Sequence, residues 1–323
     1  QDGRFSVHID QNNIEIRTSV LPGAYGESVV LRILNPETIA LSMEELGIEK
    51  KLFDFLEKEI KKPNGMILTT GPTGSGKTTT LYGFLRKIQT PEKKVITIED
   101  PIEYHLAGIV QTQVDEKKYT FGNGLRSALR QDPDIIMVGE IRDEDVAGTA
   151  INAALTGHLV FSTLHTNNAA GSFPRLVDLG VNPKVISSAV NIVIAQRLVR
   201  KLCDACKKEV LLNEDKKGII KNILNSIVEK KSVPEEISKI WEAEGCDECN
   251  NTGYKGRIGI FEAIIMDSDI EVLVKKSASE REISDASKKQ KLFTIQQDGV
   301  LKVLKGVTSL DELQRVVELE GPL

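Results

Sequence analysis

The most informative absences in this 323-residue sequence concern membrane segments, basic charge and guanine recognition. No apolar run approaches the roughly 20 residues that cross a bilayer, and the N-terminus carries no signal-peptide pattern. The formal net charge is -5, so the chain has no global positive field for nucleic acid. The N-K-x-D motif of GTPases is missing too. These absences predict a soluble, cytoplasmic protein that does not bind nucleic acid.

Cysteine is scarce, and its four residues form two C-x-x-C pairs, Cys203 with Cys206 and Cys246 with Cys249. In a chain without an export signal, this pattern favours metal ligands over disulfides. Two such pairs suit tetrahedral zinc, which organises small loops without a large core. Four unligated thiols are the plainer alternative. Because no open coordination position or acid–base group accompanies the pairs, we predict a structural zinc ion.

Two patterns of hydrophobic residues divide the chain, which is 40% hydrophobic and 28% charged, as expected for more than one globular domain. Residues 5–34 alternate apolar and polar positions, which predicts a small antiparallel β unit. The sequence opens inside this pattern, so we expect further sequence upstream. From about residue 52 to 196, apolar strands alternate with amphipathic helices, as in a mostly parallel sheet covered by helices. The strands predicted there are Gly65–Thr70, Val95–Glu99, Ile135–Val138 and Leu159–Leu164.

A glycine-rich stretch, "GPTGSGKTTT" at residues 71–80, has the G-x-x-x-x-G-K-[ST] form of a phosphate-binding loop. Glycines let backbone N–H groups converge on phosphate oxygens at a helix N-terminus. Lys77 would contact the β- and γ-phosphates, and the Thr78 hydroxyl would bind Mg²⁺. A chance glycine-rich turn is disfavoured, because all eight positions and both flanking elements agree. The predicted nucleotide ligands are Gly71, Pro72, Thr73, Gly74, Ser75, Gly76, Lys77, Thr78 and Thr79.

Carboxylates follow two of the predicted strands at the edge where ligands of open α/β sheets bind. The second strand ends at Glu99, and Asp100 and Glu103 follow it. One of them could polarise an attacking water and another could steady the metal; a helix N-cap at Asp100 is the alternative. The third strand is followed by Gly139-Glu140, where an acid would usually close the apolar run. We therefore assign Glu140 to the Mg²⁺ shell.

A histidine stands at each end of the predicted strand Leu159–Leu164. His165 should lie at the same sheet edge as the phosphate-binding loop, which favours γ-phosphate sensing. His158 is assigned to the nucleotide site on weaker grounds, and satisfied structural histidines are the alternative for both. Arg142 is expected either to pair with Glu140 or to reach a neighbouring molecule.

Four segments together resemble the type II secretion and type IV pilus assembly ATPase family: "GPTGSGKTTTLY", "TIEDPIEY", "LRSALRQDPDIIMVGEIRD" and "TGHLVFSTLHTNNAAG". Flanking stretches such as "QDGRF" and "GYKGRIGIFEAI" agree, so the resemblance covers nearly the whole chain. It implies a homo-hexameric motor of the α/β class, with a RecA-like P-loop NTPase domain and a small N-terminal α+β domain. It further implies ATP and Mg²⁺, a position peripheral to the inner membrane, and an inner-membrane platform protein as partner.

The resemblance also assigns roles to individual residues. It makes Glu103 the favoured water-activating base, Glu140 the family's atypical Walker B glutamate, and His165 the histidine nearest the γ-phosphate. Arg17 and Arg32 fall where the family carries arginines from the N-terminal domain toward the nucleotide. From the residues alone, these two could equally be surface charges. With the resemblance, we expect phosphate contacts that close the two domains.

Five parts follow from the same resemblance. They are the C-terminal part of a PAS-like N-terminal domain (1–36), a linker (37–50), a RecA-like core (51–202), a tetracysteine zinc insert (203–256) and a helical C-terminal part (257–323). In the last part, Ser309 and Glu312 predict a helix capping box. Assembly and secretion motors often carry the tetracysteine insert, whereas retraction motors typically lack it.

The predicted function is an ATP-hydrolysing motor that powers pilin or pseudopilin assembly, in type IV pilus biogenesis or type II secretion. A pilus retraction ATPase is the first alternative, and the cysteine pairs disfavour it. The second alternative is an ATP-dependent, zinc-containing nucleic-acid-binding protein. The acidic charge balance and the lack of a basic–aromatic stripe disfavour that reading.

Overall fold

A computed structural model describes residues 2–9, 12–34, 41–115, 118–229, 233 and 237–319. The strands are β1 (Asp2–Ile9), β2 (Asn12–Gly23), β3 (Gly26–Leu34), β4 (Gly65–Thr70), β5 (Val95–Glu99), β6 (Val110–Gln113), β7 (Ile135–Val138), β8 (Leu159–Leu164), β9 (Val190–Leu202), β10 (Lys208–Leu211), β11 (Lys239–Glu242) and β12 (Tyr254–Ile265). The helices are α1 (Lys50–Glu59), α2 (Lys77–Ile88), α3 (Phe121–Leu129), α4 (Glu144–Leu155), α5 (Ser172–Asp178), α6 (Pro183–Ala189), α7 (Glu214–Asn225), α8 (Ser268–Lys275), α9 (Glu280–Ser287), α10 (Ile295–Leu304) and α11 (Leu310–Val316). In these described ranges, no helix is both long and apolar enough to span a bilayer.

A seven-stranded sheet forms the centre of the molecule, in the order β12-β9-β4-β8-β7-β5-β6. Every neighbouring pair from β9 to β6 is parallel, and β12 returns antiparallel to β9. The four strands predicted from the sequence have the predicted bounds. All of their residues are buried, because helices cover both faces of the sheet. The predicted α/β class is confirmed.

Alternate residues of each central strand enter two separate hydrophobic cores, since side chains of a strand alternate between the faces of a sheet. On β4, Met66 and Leu68 pack in the core that includes α3 and α4. The residue between them, Ile67, packs with α1 and α2 on the opposite face. Burial on both faces leaves only the ends of these strands for charged side chains, while the polar side chains inside them are hydroxyls such as Thr97 and Ser162.

The N-terminal strands form a separate antiparallel sheet, β1-β2-β3, as the alternation of residues 5–34 predicts. Arg4, Arg17 and Arg32 are register neighbours across its three strands; register neighbours share one face of a sheet. Phe5 and Ile33 belong to the other face and are 47% and 65% exposed. The sheet therefore separates an arginine-bearing face from an apolar one. Of the predicted linker 37–50, residues 37–40 lie outside the described ranges.

The region between the two cysteine pairs packs on the main body rather than forming small loops held only by a metal. Its strands β10 and β11 pair with each other, and Ile220, Leu224 and Ile240 belong to the core on the α3 and α4 face. Trp241 lies against Gly306, where an added Cβ would sit 2.8 Å from the indole ring. The insert therefore has hydrophobic contacts with the main core in addition to the cysteine cluster. Residues 230–232 and 234–236 of it lie outside the described ranges.

Helix α11 begins at Ser309, whose hydroxyl accepts the Glu312 backbone N–H at 3.1 Å. The predicted reciprocal half of the capping box is absent, because the Glu312 carboxylate bonds elsewhere. It accepts from Arg200 N, Nε and Nη2 at 3.0, 2.9 and 2.6 Å and from Arg315 Nε and Nη2 at 2.9 and 2.7 Å. Burial alone would raise the pKa of Glu312, but these hydrogen bonds outweigh it and lower the pKa to about 2. The carboxylate joins β9 to α11.

Glu312→Gln should lower the free energy of unfolding by about 3 kcal/mol at neutral pH, because it leaves two arginines without their shared counter-charge. A carboxyl whose pKa is lowered by folding stabilises above its unfolded pKa, near 4.5, and loses that contribution as the pH falls toward the folded value of about 2. The difference from the wild type should therefore shrink as the pH falls below about 4.5. Urea unfolding followed by circular dichroism at several pH values measures it.

Glu214→Gln is the matched control, since that side chain is 87% exposed on the first turn of α7. It should change the free energy of unfolding by less than about 0.5 kcal/mol at every pH. Equal effects of the two substitutions would contradict the assignment of Glu312.

Candidate functional site

The phosphate-binding loop connects β4 to α2, at the carboxyl edge of the parallel sheet. Gly71, Gly74 and Gly76 adopt φ values of 147°, 78° and 87°, a region that other residues rarely occupy. An added Cβ on Gly71 would also lie 2.5 Å from the carbonyl oxygen of Gln196. Helix α2 begins directly after Gly76, and first-turn N–H groups have no partner inside their own helix. The loop therefore offers backbone donors for an anion.

Lys77 lies folded over this loop, with Nζ donating to the carbonyl oxygens of Gly71 at 2.8 Å and Pro72 at 3.1 Å. Burial lowers the pKa of Lys77; Glu140 opposes this shift, and Arg197 adds to it. Next along the helix, the Thr80 hydroxyl donates to the buried Gln196 Oε1 at 2.7 Å. The start of α2 is thus fixed to β9, and the ammonium group is held at the place where phosphates would bind.

A cleft of about 520 Å³ opens beside the loop, and it gathers most of the residues predicted for the site. Parallel strands that end at one edge bring their following residues together, and β4, β5, β7 and β8 contribute in this way. The predicted residues along its wall are Arg32, Thr73, Gly74, Ser75, Gly76, Lys77, Thr78, Thr79, Glu99, Asp100, Glu103, Glu140 and His165.

Glu140 is the centre of a small charged network in this cleft. Its carboxylate accepts from Arg142 and lies 3.3 Å from His165 Nε2. Arg142 Nη1 is also 3.7 Å from the Asp100 carboxylate. Of the two alternatives for Arg142, pairing with Glu140 is therefore the one observed within the chain. The network brings the ends of β5, β7 and β8 into contact.

Arg17 connects the N-terminal sheet to the loop that carries Glu103. Its Nη1 lies 3.2 Å from Glu103 Oε2, and its Nη2 donates to the Ile102 carbonyl oxygen at 3.0 Å. Arg32, its register neighbour on β3, lines the nucleotide cleft itself. A second cavity of about 530 Å³ adjoins and is lined by both arginines and Pro101. For Arg17, the alternative of an unpaired surface charge is wrong.

Glu99 is buried beneath the cleft, at 2% exposure. It accepts hydrogen bonds from Tyr82, Thr97 and, at 3.1 Å, Gln111 Nε2. Burial raises the pKa of Glu99 in spite of these donors. Gln111 also donates to the Tyr104 carbonyl oxygen at 3.1 Å, so the group supports the segment after Glu103. Residues 100–109, all of them described, contain no helix, which removes the alternative of an N-cap at Asp100.

His158 is the one predicted site residue that the structure places far from the cleft. It precedes β8, at the amino edge of the sheet, and its Nδ1 lies 3.0 Å from the Ala153 carbonyl oxygen. The six residues of β8 lie between it and His165, so the two are seven steps apart, about 23 Å at about 3.3 Å per step. The assignment of His158 to the nucleotide site of its own chain is therefore wrong; here it is a satisfied structural histidine.

Three residues at or beside the cleft were not predicted from the sequence. Arg257 of β12 lines the cleft, Tyr82 of α2 donates to Glu99, and Arg197 of β9 lies 3.2 Å from the position of a Gly71 Cβ. Arg257 stands in "GYKGRIGIFEAI", a segment that the resemblance includes without giving that arginine a role. Tyr82 in "GPTGSGKTTTLY" and Arg197 in "VIAQRLVRKLC" likewise stand in segments of the resemblance that give them no role. Their positions depend on the packing of β9, β12 and α2 around the loop.

The four cysteines form a second candidate site. Their Sγ atoms all lie within 4.8 Å of one another, and three of the separations are 3.9, 3.8 and 3.7 Å. Tetrahedral zinc with Zn–S bonds of about 2.3 Å requires separations of about 3.8 Å. Backbone N–H groups of Gly245 and Gly253 point at Cys206 Sγ and Cys249 Sγ, at 3.4 and 3.2 Å. The donor set fits a tetrahedral metal ion.

Comparison with known proteins gives the same family as the sequence motifs. A family model described as "Type II/IV secretion system protein" matches residues 1–315. Type II secretion system protein E of Pseudomonas aeruginosa is 44% identical over 321 residues, covering 99% of this chain and 62% of the relative. The type IV pilus assembly ATPase TfpB of Acinetobacter baylyi is 45% identical over 321 residues, covering 99% and 54%. The chain thus spans less than two thirds of the length of these relatives.

Solved structures agree on the fold. The pilus retraction motor PilT with bound ADP is 28% identical, with a TM-score of 0.66 over 97% of this chain and 77% of that one. The Legionella pneumophila ATPase DotB is 22% identical, with a TM-score of 0.66 over 98% and 76%; at that identity the likeness concerns the fold alone. The predicted fold class, α/β with a RecA-like P-loop NTPase domain, is confirmed, and the described part of the predicted N-terminal α+β domain is the sheet β1-β2-β3. The family model and these relatives show that this chain, with its phosphate-binding loop and cleft, belongs to the type II/IV secretion system protein family.

Proposed function

We propose that this chain hydrolyses ATP as a subunit of a motor that assembles pilins or pseudopilins. The observation that carries the proposal is the pairing of Arg17, from the N-terminal sheet, with Glu103 at the phosphate-binding cleft. A cleft that spans two structural units suits a reaction that moves one unit against the other. Relatives named as a type II secretion ATPase and a type IV pilus assembly ATPase support the same activity.

In this proposal, the triphosphate lies along residues 71–79, with Lys77 on the β- and γ-phosphates. Thr78 and Glu140 would hold Mg²⁺, which neutralises charge on the β- and γ-oxygens when bound. Arg17 and Arg32 would contact the phosphates from the N-terminal side. His165, beside Glu140, is suited to contact the γ-phosphate end of the cleft.

Glu103 is the proposed base, since it is a carboxylate at the cleft wall that Arg17 holds in place. It would orient a water molecule and accept its proton as the water oxygen bonds to the γ-phosphorus, while the bond from that phosphorus to the bridging oxygen breaks and ADP leaves. Arg17 has a double role here, because it can exchange its contact with Glu103 for a phosphate oxygen. Such an exchange would bring the N-terminal sheet toward the cleft on nucleotide binding.

Assembly is favoured over retraction by the cysteine cluster and by the 45% identity to a pilus assembly ATPase. The retraction motor PilT shares the fold at 28% identity and remains the second candidate. We further propose a homo-hexamer that docks, peripheral to the inner membrane, on a platform protein. The proposed metal of the cysteine cluster is zinc, in a structural role.

Lys77→Ala should abolish ATP binding and turnover, whereas Glu103→Gln should preserve binding and lower kcat by about 100-fold or more. The reason is that the lysine binds phosphate in all states, while the carboxylate acts only on the water. Steady-state phosphate release and binding of a fluorescent ATP analogue, both with Mg²⁺, measure the two effects. Glu92→Gln, at an exposed position in the α2–β5 connection, is the control and should match the wild type. Unchanged turnover in both site variants would contradict the assignment of Lys77 and Glu103 to the ATPase site.

Purified chain should contain one zinc ion per protomer, and Cys203→Ser should remove it. Because the cysteines join the ends of β9 and β12, loss of the metal should also lower the melting temperature. Elemental analysis and thermal unfolding measure these effects, with Ser226→Ala in the same insert as a control that keeps the metal. Wild-type protein without zinc, together with an unchanged melting temperature in Cys203→Ser, would contradict the zinc assignment. It would also remove the argument from the cysteine cluster against a retraction motor.

A further inference from the structure

Residues 166–171 follow His165 and make hydrogen bonds both to the strand before the phosphate-binding loop and to the C-terminal helices. At the beginning of this segment, Thr166 N donates to Thr70 Oγ1 at 2.8 Å, and the two threonine hydroxyls are 2.7 Å apart. Thr70 is the residue before Gly71. The segment named here the His165 loop (residues 166–171) is therefore attached directly to the strand that delivers the phosphate-binding glycines.

Three side chains from β9, β12 and α9 hold the rest of the His165 loop. Arg197 Nη2 donates to the Asn167 carbonyl oxygen at 2.8 Å. Glu262 Oε1 accepts from Ala169 N at 2.8 Å. Glu280 Oε1, from the first residue of α9, accepts from Asn168 Nδ2 at 2.6 Å. The position of the loop is thus set by elements that lie far away in the sequence, beyond the nucleotide motifs.

Glu262 differs from the other two because its two oxygens serve two different segments. While Oε1 accepts from the His165 loop, Oε2 accepts from Ile295 N, at the first residue of α10, at 3.2 Å. That N–H has no partner within its own helix. One partly buried carboxylate on β12, the edge strand of the large sheet, therefore joins the His165 loop to the start of a helix.

We propose that Glu262 is a positioning residue of the nucleotide site: by holding Ala169 it fixes the loop that keeps His165 beside Glu140, and by holding Ile295 it couples that loop to α10. The proposal rests on the ATP hydrolysis proposed above. A displacement of His165 would change the contacts of Glu262 and therefore the position of the first turn of α10. The nucleotide cleft and the C-terminal helices would then move together.

Glu262→Gln tests this with little change in volume. A glutamine has one accepting oxygen and one amino group, so one of the two backbone N–H groups would face another donor. The loop would lose one attachment while the hydrophobic packing of β12 is kept. Arg197→Met is a second variant that loosens the same loop from β9 while retaining most of the apolar stem.

Asp298→Asn is the matched control, since it alters another carboxylate at the same junction of β12 and α10. Asp298 Oδ2 accepts from Phe261 N at 2.8 Å and from Lys302 Nζ at 2.5 Å, and neither partner belongs to the His165 loop. The substitution should lower the melting temperature, because it weakens a buried ion pair. It therefore separates a loss of stability from a loss of positioning.

The expected result for Glu262→Gln is a kcat lower by about tenfold or more, as for catalytic groups displaced by a fraction of an ångström. Its affinity for a fluorescent ATP analogue should change by less than about twofold. Asp298→Asn, assayed well below its melting temperature, should keep the wild-type kcat. The double variant Glu262→Gln/Arg197→Met should lose less than the product of the single losses, because both substitutions loosen one loop.

Wild-type kcat in Glu262→Gln would overturn the proposal, as would equal losses of kcat in Glu262→Gln and Asp298→Asn. Hydrogen–deuterium exchange of peptides covering residues 166–171 supplies a readout that does not need turnover. Exchange there should be faster in Glu262→Gln than in Asp298→Asn, and equal rates would also overturn the proposal. A wild type that binds ATP without hydrolysing it would refute the proposed function alone, because the exchange experiment still decides the role of Glu262.

Discussion

The parallel alignment of β4, β5, β7 and β8 is the constraint on which the rest of the molecule depends. Strands that run in one direction must end at one edge, so the residues that follow them meet there whatever their distance in sequence. The same strands are buried on both faces, and charged side chains can therefore gather only at their ends. Lys77, Glu103, Glu140 and His165 share one cleft for this reason.

The local part of this arrangement could be predicted from the sequence. The bounds of the four strands, the phosphate-binding loop and the acids after β5 and β7 all follow from short patterns. Both His165 and His158 flank β8, and the strand direction implied by the predicted parallel sheet brings only His165 to the cleft, so the error on His158 could have been avoided. The limit appears in contacts between distant segments. Glu312 illustrates it, because the carboxylate expected to cap its own helix bonds instead to Arg200, 112 residues away. Arg197, Arg257 and Glu262 stayed unassigned because their partners are set by tertiary packing alone.

Two regions outside the phosphate-binding core contribute to the cleft in different ways. The N-terminal sheet approaches from one side, where Arg17 binds the Glu103 segment across 85 residues of sequence. The long β9–β12 pair lies on the other side. Its Arg197 and Glu262 hold the His165 loop by hydrogen bonds, and the cysteine cluster lies beyond the end of the pair. The hydrophobic contacts of the insert with the main core suit a rigid support. Under the proposed function, hydrolysis would change the contact of Arg17 with the Glu103 segment. The C-terminal helices would move with the His165 loop.

The most direct test of the central claim is the turnover number of Arg17→Met, measured beside Arg4→Met. Both arginines lie on the same face of the N-terminal sheet as register neighbours, so both substitutions remove one positive charge from that face. If the cleft is completed by Arg17 at Glu103, Arg17→Met should lose about tenfold or more in kcat, and Arg4→Met should keep the wild-type value. Equal rates in the two variants would contradict the claim that the N-terminal sheet takes part in ATP hydrolysis.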